Sequence, residues 1–187
     1  MGQQDTTATI NGIDLEILQK TIDAVDQEPS LGKCRFRATN KWIGGAHNRS
    51  RIDDFYAAGE EQNHRQPFTL DADESPMLAG DDQAPNPVEQ LLHALVSSMT
   101  TTMVAHAATQ GIHIEELESQ VEGDIDLRGF LGLDADVPKG YTNIRVKFRA
   151  KGDPENVAKL RRLAEFSPVY NTLTQGVSVD IEVEPME

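Results

Sequence analysis

Asn86-Pro87-Val88-Glu89-Gln90-Leu91-Leu92-His93-Ala94-Leu95-Val96-Ser97-Ser98-Met99-Thr100-Thr101-Thr102-Met103-Val104-Ala105-His106-Ala107-Ala108-Thr109-Gln110-Gly111 reads as one long helix with a start signal and a stop signal. An Asn side chain accepts amide protons that a helix start leaves unpaired, and a Pro at the first helical position sacrifices no bond. Gly111 suits the left-handed residue that closes a helix. At 1.5 Å per residue, Pro87 to Gln110 spans about 36 Å. Past Glu89 the run carries no formal charge until it ends. A helix that is apolar or small on most faces is expected to be buried, in a core or between subunits.

What flanks this helix alternates with period two. Ahead of it, Cys34, Phe36 and Ala38 alternate with Arg35, Arg37 and Thr39, which predicts a half-buried strand. Gly44-Gly45 predicts a turn, Arg49 to Tyr56 a second strand, and Pro67 to Ala72 a short third. The polar residues 57–66 predict a loop. Behind the helix, Val121, Gly123, Ile125 and Leu127 alternate with charged residues. So do Ile144, Val146, Phe148 and Ala150, and so do Val177, Val179, Ile181 and Val183 with polar or acidic neighbours. One apolar face per strand predicts an antiparallel sheet covered on one side.

Helices fill the intervals. Leu18, Ile22 and Val25 predict a short amphipathic helix over Ile13 to Gln27, with Asn11 as its cap, packed on something else. Asp153-Pro154 opens a helix with Val157, Leu160, Leu163 and Ala164 as its stripe, and Ser167-Pro168 marks a fresh cap and start. The fold class is α+β, with helices on one face of an antiparallel sheet. A chain of 187 residues suits a single domain over 1–187, with 1–32 as a helical extension of a 33–187 core.

Composition narrows the partners. The formal net charge is −14, which repels phosphate backbones and anionic lipid and speaks against nucleic acid and membrane surfaces as partners. Met1 to Asp5 has neither a basic nor an apolar region of a signal peptide, and Gly2 with Thr6 matches a myristoylation pattern only formally. No apolar run is long enough to cross a membrane. A lone cysteine, Cys34, forms no intrachain disulfide and suits a reducing, cytoplasmic setting. Its alternation with Phe36 predicts an inert, buried thiol. The five histidines show no i, i+4 pair and no neighbouring cysteines, so no metal site and no cofactor are expected. Thr100-Thr101-Thr102 reads as helix back-bonding or close packing, and Gly129 to Gly132 lacks the Lys-Ser/Thr of a phosphate loop.

Four stretches, in this order and spacing, resemble the OsmC/Ohr family. They are Asn86 to Leu92; the Ser98 helix ending Ala107-Ala108-Thr109-Gln110-Gly111-Ile112; Glu122 to Leu133; and Ser167-Pro168-Val169. Trp42 to Arg49 looks like the corresponding part of an OsmC-like subgroup. The resemblance covers the chain from about Cys34 to Val183. It implies an intertwined homodimer whose two long helices cross at the centre, with two equivalent sites at the subunit interface. It also implies reduction of organic hydroperoxides by a cysteine thiolate, flanked by an arginine and a glutamate.

The family's first cysteine falls on Ser98 and its second on Ser167. The glutamate that follows the Asn-Pro pair is Val88 here, and the best match to the arginine is Arg49. A serine hydroxyl stays protonated near neutral pH and does not climb the sulfenic-acid ladder. Three readings therefore compete. One is a hydroperoxide reductase working by an altered mechanism. Another is a binder of a small hydrophobic ligand, lined at the dimer interface by Val88, Leu95, Met99 and Met103. The last is a serine hydrolase using pairs such as His93 with Ser97, which lacks a Gly-x-Ser-x-Gly elbow and an oxyanion donor. The chemistry favours the binder.

Overall fold

The computed structural model describes residues 9–186. The readings on Met1 to Asp5, and on Gly2 with Thr6, lie outside them. The chain divides into two compact units, one ending at His93 and the other starting at Ala94. It is α+β, as its sequence predicts.

The first unit opens with a small hairpin, β1 (Thr9–Ile10) and β2 (Ile13–Asp14), followed by helix α1 (Leu15–Gln27). Asn11 and Gly12 both have positive φ, 54° and 77°. They form the tight two-residue turn for which Asn-Gly is suited. Asn11 is therefore a turn residue, and Asp14 is the helix cap, accepting from the amides of Glu16 and Ile17. None of α1's residues is buried within the chain.

Strands β3 (Arg35–Phe36), β4 (Thr39–Gly44), β5 (His47–Ala57) and β6 (Glu60–Ala72) follow. They form an antiparallel sheet in which β5 pairs with β3, β4 and β6. Two expectations are corrected here. The half-buried strand at 34–38 shrinks to Arg35–Phe36, and Cys34 is exposed. The expected loop at 57–66 is mostly strand: β6 starts at Glu60 and absorbs the short third strand. Its turn is Ala58-Gly59, both with positive φ, and its first half is polar on both faces. Such a strand has no apolar period to read. It is held by its ladder to β5 and by the Arg37 guanidinium, which bonds both Glu61 and Asp54.

Helix α2 (Pro87–Thr109) has both expected ends. Asn86 Oδ1 accepts from the Glu89 amide at 2.8 Å, and the Asn86 amide donates to Glu89 Oε2 at 2.9 Å. This reciprocal capping box satisfies two groups at once. At the far end Gly111 has φ 69°. The Ile112 amide reaches back to Ala107 O and the Gly111 amide to Ala108 O, closing a Schellman motif.

The second unit contains most of α2, then β7 (Glu116–Asp124), the one-turn helix α3 (Leu127–Phe130), β8 (Asn143–Lys151), α4 (Pro154–Ala164) and α5 (Pro168–Gln175). The strand expected to run to Leu127 stops at Asp124, because Asp126 caps α3. β7 and β8 form an antiparallel pair. The core joins Leu95, Met99, Met103 and Ala107 of α2 to Ile112 and to Leu160, Leu163 and Ala164 of α4. Leu117, Ile144, Val146, Phe148 and Ala150, on the inner face of the β7–β8 pair, pack against it. The final expected strand, Val177 to Val183, is not formed: the segment is neither helix nor strand.

Candidate functional site

Ser98 and Ser167 come from positions 69 residues apart, and their hydroxyl oxygens lie 2.8 Å from one another. Local rules explain each half. Ser167 caps α5, its Oγ accepting the Tyr170 amide at 3.2 Å, with Pro168 at the first helical position. Ser98 sits mid-way along α2, where the backbone amides are already bonded. Ser167 is wholly buried, at 0% exposure. A buried hydroxyl without a partner costs about 1–3 kcal/mol, so this mutual bond satisfies both groups. Among the described residues, the bonds of these two hydroxyls run to each other and to the Tyr170 amide, with no acid, base or cation on either. The pair ties α2 to the start of α5. It has nothing that would make either oxygen a nucleophile.

The expected ligand-lining residues fall into two environments. Leu95, Met99 and Met103 are buried in the core just described, Met103 at 1% exposure. Val88, in the first turn of α2, is exposed. On a helical wheel these four lie within about 80° of one another. Further along α2, the His106 ring stacks on Phe166 with centroids 4.7 Å apart. The Ser97 hydroxyl donates to Ala94 O at 3.2 Å, a back-bond to the helix.

Arg49 belongs to the first unit. Its Nε and Nη2 donate to the two carboxylate oxygens of Asp71 at 2.6 and 3.0 Å. This two-pronged bond holds the Asp71 carboxyl below its ordinary range and raises the guanidinium further. His47 Nε2 is 3.6 Å from the same carboxylate. Asp71 carries no local motif; its role depends on the register that sets Arg49 opposite Asp71 across β5 and β6. Glu89 is occupied in the capping box with Asn86.

Asp73 is a residue that sequence reasoning passed over. It is buried, and its carboxylate accepts from the amides of Glu74, Asp81 and Gln83 at 2.8, 3.2 and 3.1 Å. It thereby organises the loop that leads to α2. These bonds, led by those from Gln83 and Glu74, hold its carboxyl below the ordinary 3.8. A carboxyl lowered by folding stabilises above its unfolded value, and that contribution is lost as pH falls through the lower, folded value. Urea unfolding followed from pH 5 down to pH 2 is expected to lose stability below about 4. Asp73→Asn is expected to flatten that loss; equal slopes would show that Asp73 is not part of it.

Among the described residues, no group of three or more His, Cys, Asp or Glu is placed to hold a metal ion. Nor is any helix long and apolar enough to cross a membrane.

The family model for OsmC-like protein matches residues 80–182. No curated protein sequence matches the chain. Solved structures do match. The OsmC like protein from Mycoplasma pneumoniae is 18% identical, with a TM-score of 0.55, over 76% of this chain and 89% of that one. The organic hydroperoxide resistance protein OsmC from Legionella pneumophila is 19% identical, with a TM-score of 0.51, over 74% of this chain and 90% of that one. At these identities the likeness is one of fold.

Proposed function

The chain belongs to the OsmC-like family, and from that premise we propose that it is a cytoplasmic homodimer that binds a small hydrophobic ligand and does not reduce peroxides. Its OsmC-like core spans residues 33–187. The observation that carries this reading is the Ser98–Ser167 hydroxyl pair. It stands where the resemblance puts two thiols, and a protonated serine hydroxyl has no thiolate for a peroxide to oxidise to a sulfenic acid. Two further features agree. Val88 replaces the carboxylate that would orient a thiolate, and the Arg49 guanidinium is taken up by Asp71. The residues that the resemblance offers as a lining, Val88, Leu95, Met99 and Met103, are all apolar. A site lined by such residues would suit a neutral, hydrophobic ligand.

A neutral apolar fluorophore, N-phenyl-1-naphthylamine, tests this directly. The chain is expected to bind it saturably, at one site per chain. Val88→Asp, which places a charge among the apolar liners, is expected to weaken binding by about tenfold or more, since a desolvated charge costs well over the 1.4 kcal/mol that tenfold represents. Linear, unsaturable fluorescence, or binding indifferent to Val88→Asp, would overturn the ligand reading.

A further inference from the structure

The bond between Ser98 and Ser167 gives each oxygen a partner but leaves one proton to account for. Two hydroxyls carry two protons, and the 2.8 Å bond between them uses one, with either oxygen able to donate. Burial decides the direction. If Ser98 donates, Ser167 Oγ accepts twice, from Ser98 and from the Tyr170 amide. The Ser167 proton then has no acceptor among the described residues, on a residue that is 0% exposed. A buried donor without a partner bears the whole cost of leaving water. If Ser167 donates instead, its oxygen accepts the amide and its proton goes to Ser98. The wholly buried residue is then satisfied in both roles, and the proton left over sits on Ser98, which is half-buried. The second arrangement is the favourable one.

The helix does not take that proton back. A serine inside a helix can bond the carbonyl four residues earlier, which for Ser98 is Ala94 O. That carbonyl already accepts the Ser97 hydroxyl at 3.2 Å, and among the described residues the Ser98 hydroxyl bonds Ser167 alone. The direction also strengthens the donor. The Tyr170 amide lies in the first turn of α5, at the positive end of that helix. It polarises Ser167, and Ser167 polarises Ser98, because hydrogen bonds in a chain reinforce one another. The Tyr170 amide, the Ser167 hydroxyl and the Ser98 hydroxyl therefore form a one-way relay that ends in a proton on a half-buried residue of α2.

We infer that Ser98 is a hydrogen-bond donor to the ligand, and that the ligand is a neutral, apolar molecule bearing a carbonyl oxygen. The inference rests on the ligand reading proposed above and names the polar group of that ligand. A carbonyl oxygen takes one proton and brings none. An alcohol or a hydroperoxide brings an O–H that needs an acceptor of its own, whereas the relay ends in a donor. A carboxylate accepts more strongly, but neither hydroxyl has a cation on it to balance that charge once water is removed.

Three probes on one skeleton test this: 2-acetonaphthone with a carbonyl, 2-ethylnaphthalene with a methylene in its place, and 1-(2-naphthyl)ethanol with an alcohol. Each competes against N-phenyl-1-naphthylamine on the full chain and on Ser98→Ala. The alanine is expected to weaken the ketone by about 2–10-fold, the span of one neutral hydrogen bond, while the hydrocarbon stays within about twofold. The alcohol is expected to lose less than the ketone. Infrared spectroscopy of the ketone on the unmodified chain gives a readout that holds even if the variant fails to fold. Its C=O stretch is expected below its value in hexane. An equal change in all three probes, or a stretch that is not lowered, overturns the donor assignment and leaves the ligand reading standing. An alcohol that depends on Ser98 as strongly as the ketone overturns the carbonyl class. If the fluorophore itself does not bind saturably, the ligand reading falls and this inference falls with it.

Discussion

Mixed with an organic hydroperoxide and a dithiol reductant, the chain is expected to consume no peroxide above the uncatalysed rate. Ser98→Cys with Ser167→Cys and Val88→Glu is expected to gain turnover of about 10²-fold or more over that background, the scale on which one positioned catalytic group acts. The physical argument is the Ser98–Ser167 geometry. Peroxide reduction requires a thiolate that becomes a sulfenic acid, and a second thiol that resolves it to a disulfide. The hydroxyl oxygens already lie 2.8 Å apart. Two sulfurs on the same Cβ atoms would lie within reach of the roughly 2.05 Å of a disulfide bond. Ser167 at a helix start would give its sulfur the favourable end of the helix dipole.

Peroxide consumption by the unmodified chain would defeat the case built on the missing thiols. Cys34→Ser would then be the decisive follow-up, because Cys34 is the one thiol present and it is exposed. If the triple variant stays inert while forming the 98–167 disulfide on oxidation, the lost activity lies beyond the thiols. The Arg49–Asp71 bond would be the first place to look, since Arg49 is the best match to the arginine that the resemblance implies. Asp71→Asn in the triple variant would release that cation.

Met103→Ala is expected to lower stability by about 2–5 kcal/mol, the range for truncating a buried methionine where the surroundings relax only partly. In a chain of this size each kcal/mol moves the melting temperature by about 2–4 °C, so a drop of roughly 4–20 °C is anticipated by calorimetry. Met103, on α2, is 1% exposed and shares a cluster with Met99 and Ala107 of the same helix and with Leu160 and Leu163 of α4. Met103→Leu, which nearly conserves volume, is expected to cost under about 1.5 kcal/mol. A melting temperature unchanged by the alanine would mean that the α2–α4 packing does not hold the second unit together. If the alanine variant were also to bind more of the apolar fluorophore, the vacated volume would mark where a ligand sits.

How much of this was legible in the sequence depends on the range of the interaction concerned. Both ends of α2 and the starts of α4 and α5 were readable because their signals act over three or four residues: Asn86 with Glu89, Asp153 with Glu155 and Asn156, Ser167 with Tyr170, and Gly111 with its positive φ. β8 was readable because one of its faces is apolar along its whole length. The α+β class and the family likeness follow from those same local patterns. β6 escaped, because a strand polar on both faces has no period and is held by its partner's backbone and by ion pairs such as Arg37–Glu61 across 24 residues.

The site divides in the same way. That Ser98 and Ser167 lack thiol chemistry follows from residue identity alone. That their oxygens share a hydrogen bond, that Asp71 claims Arg49, and that Asp73 gathers three loop amides were settled by tertiary structure. Those contacts join residues up to 69 positions apart, and nothing in the chain between them encodes the register that makes them meet. Cys34 and the Val177–Val183 segment show the same limit from the other side: alternation announces an apolar face, but only a packed neighbour makes that face an interior. Capping and periodicity are properties of a segment, whereas burial and charge pairing are properties of what lies against it.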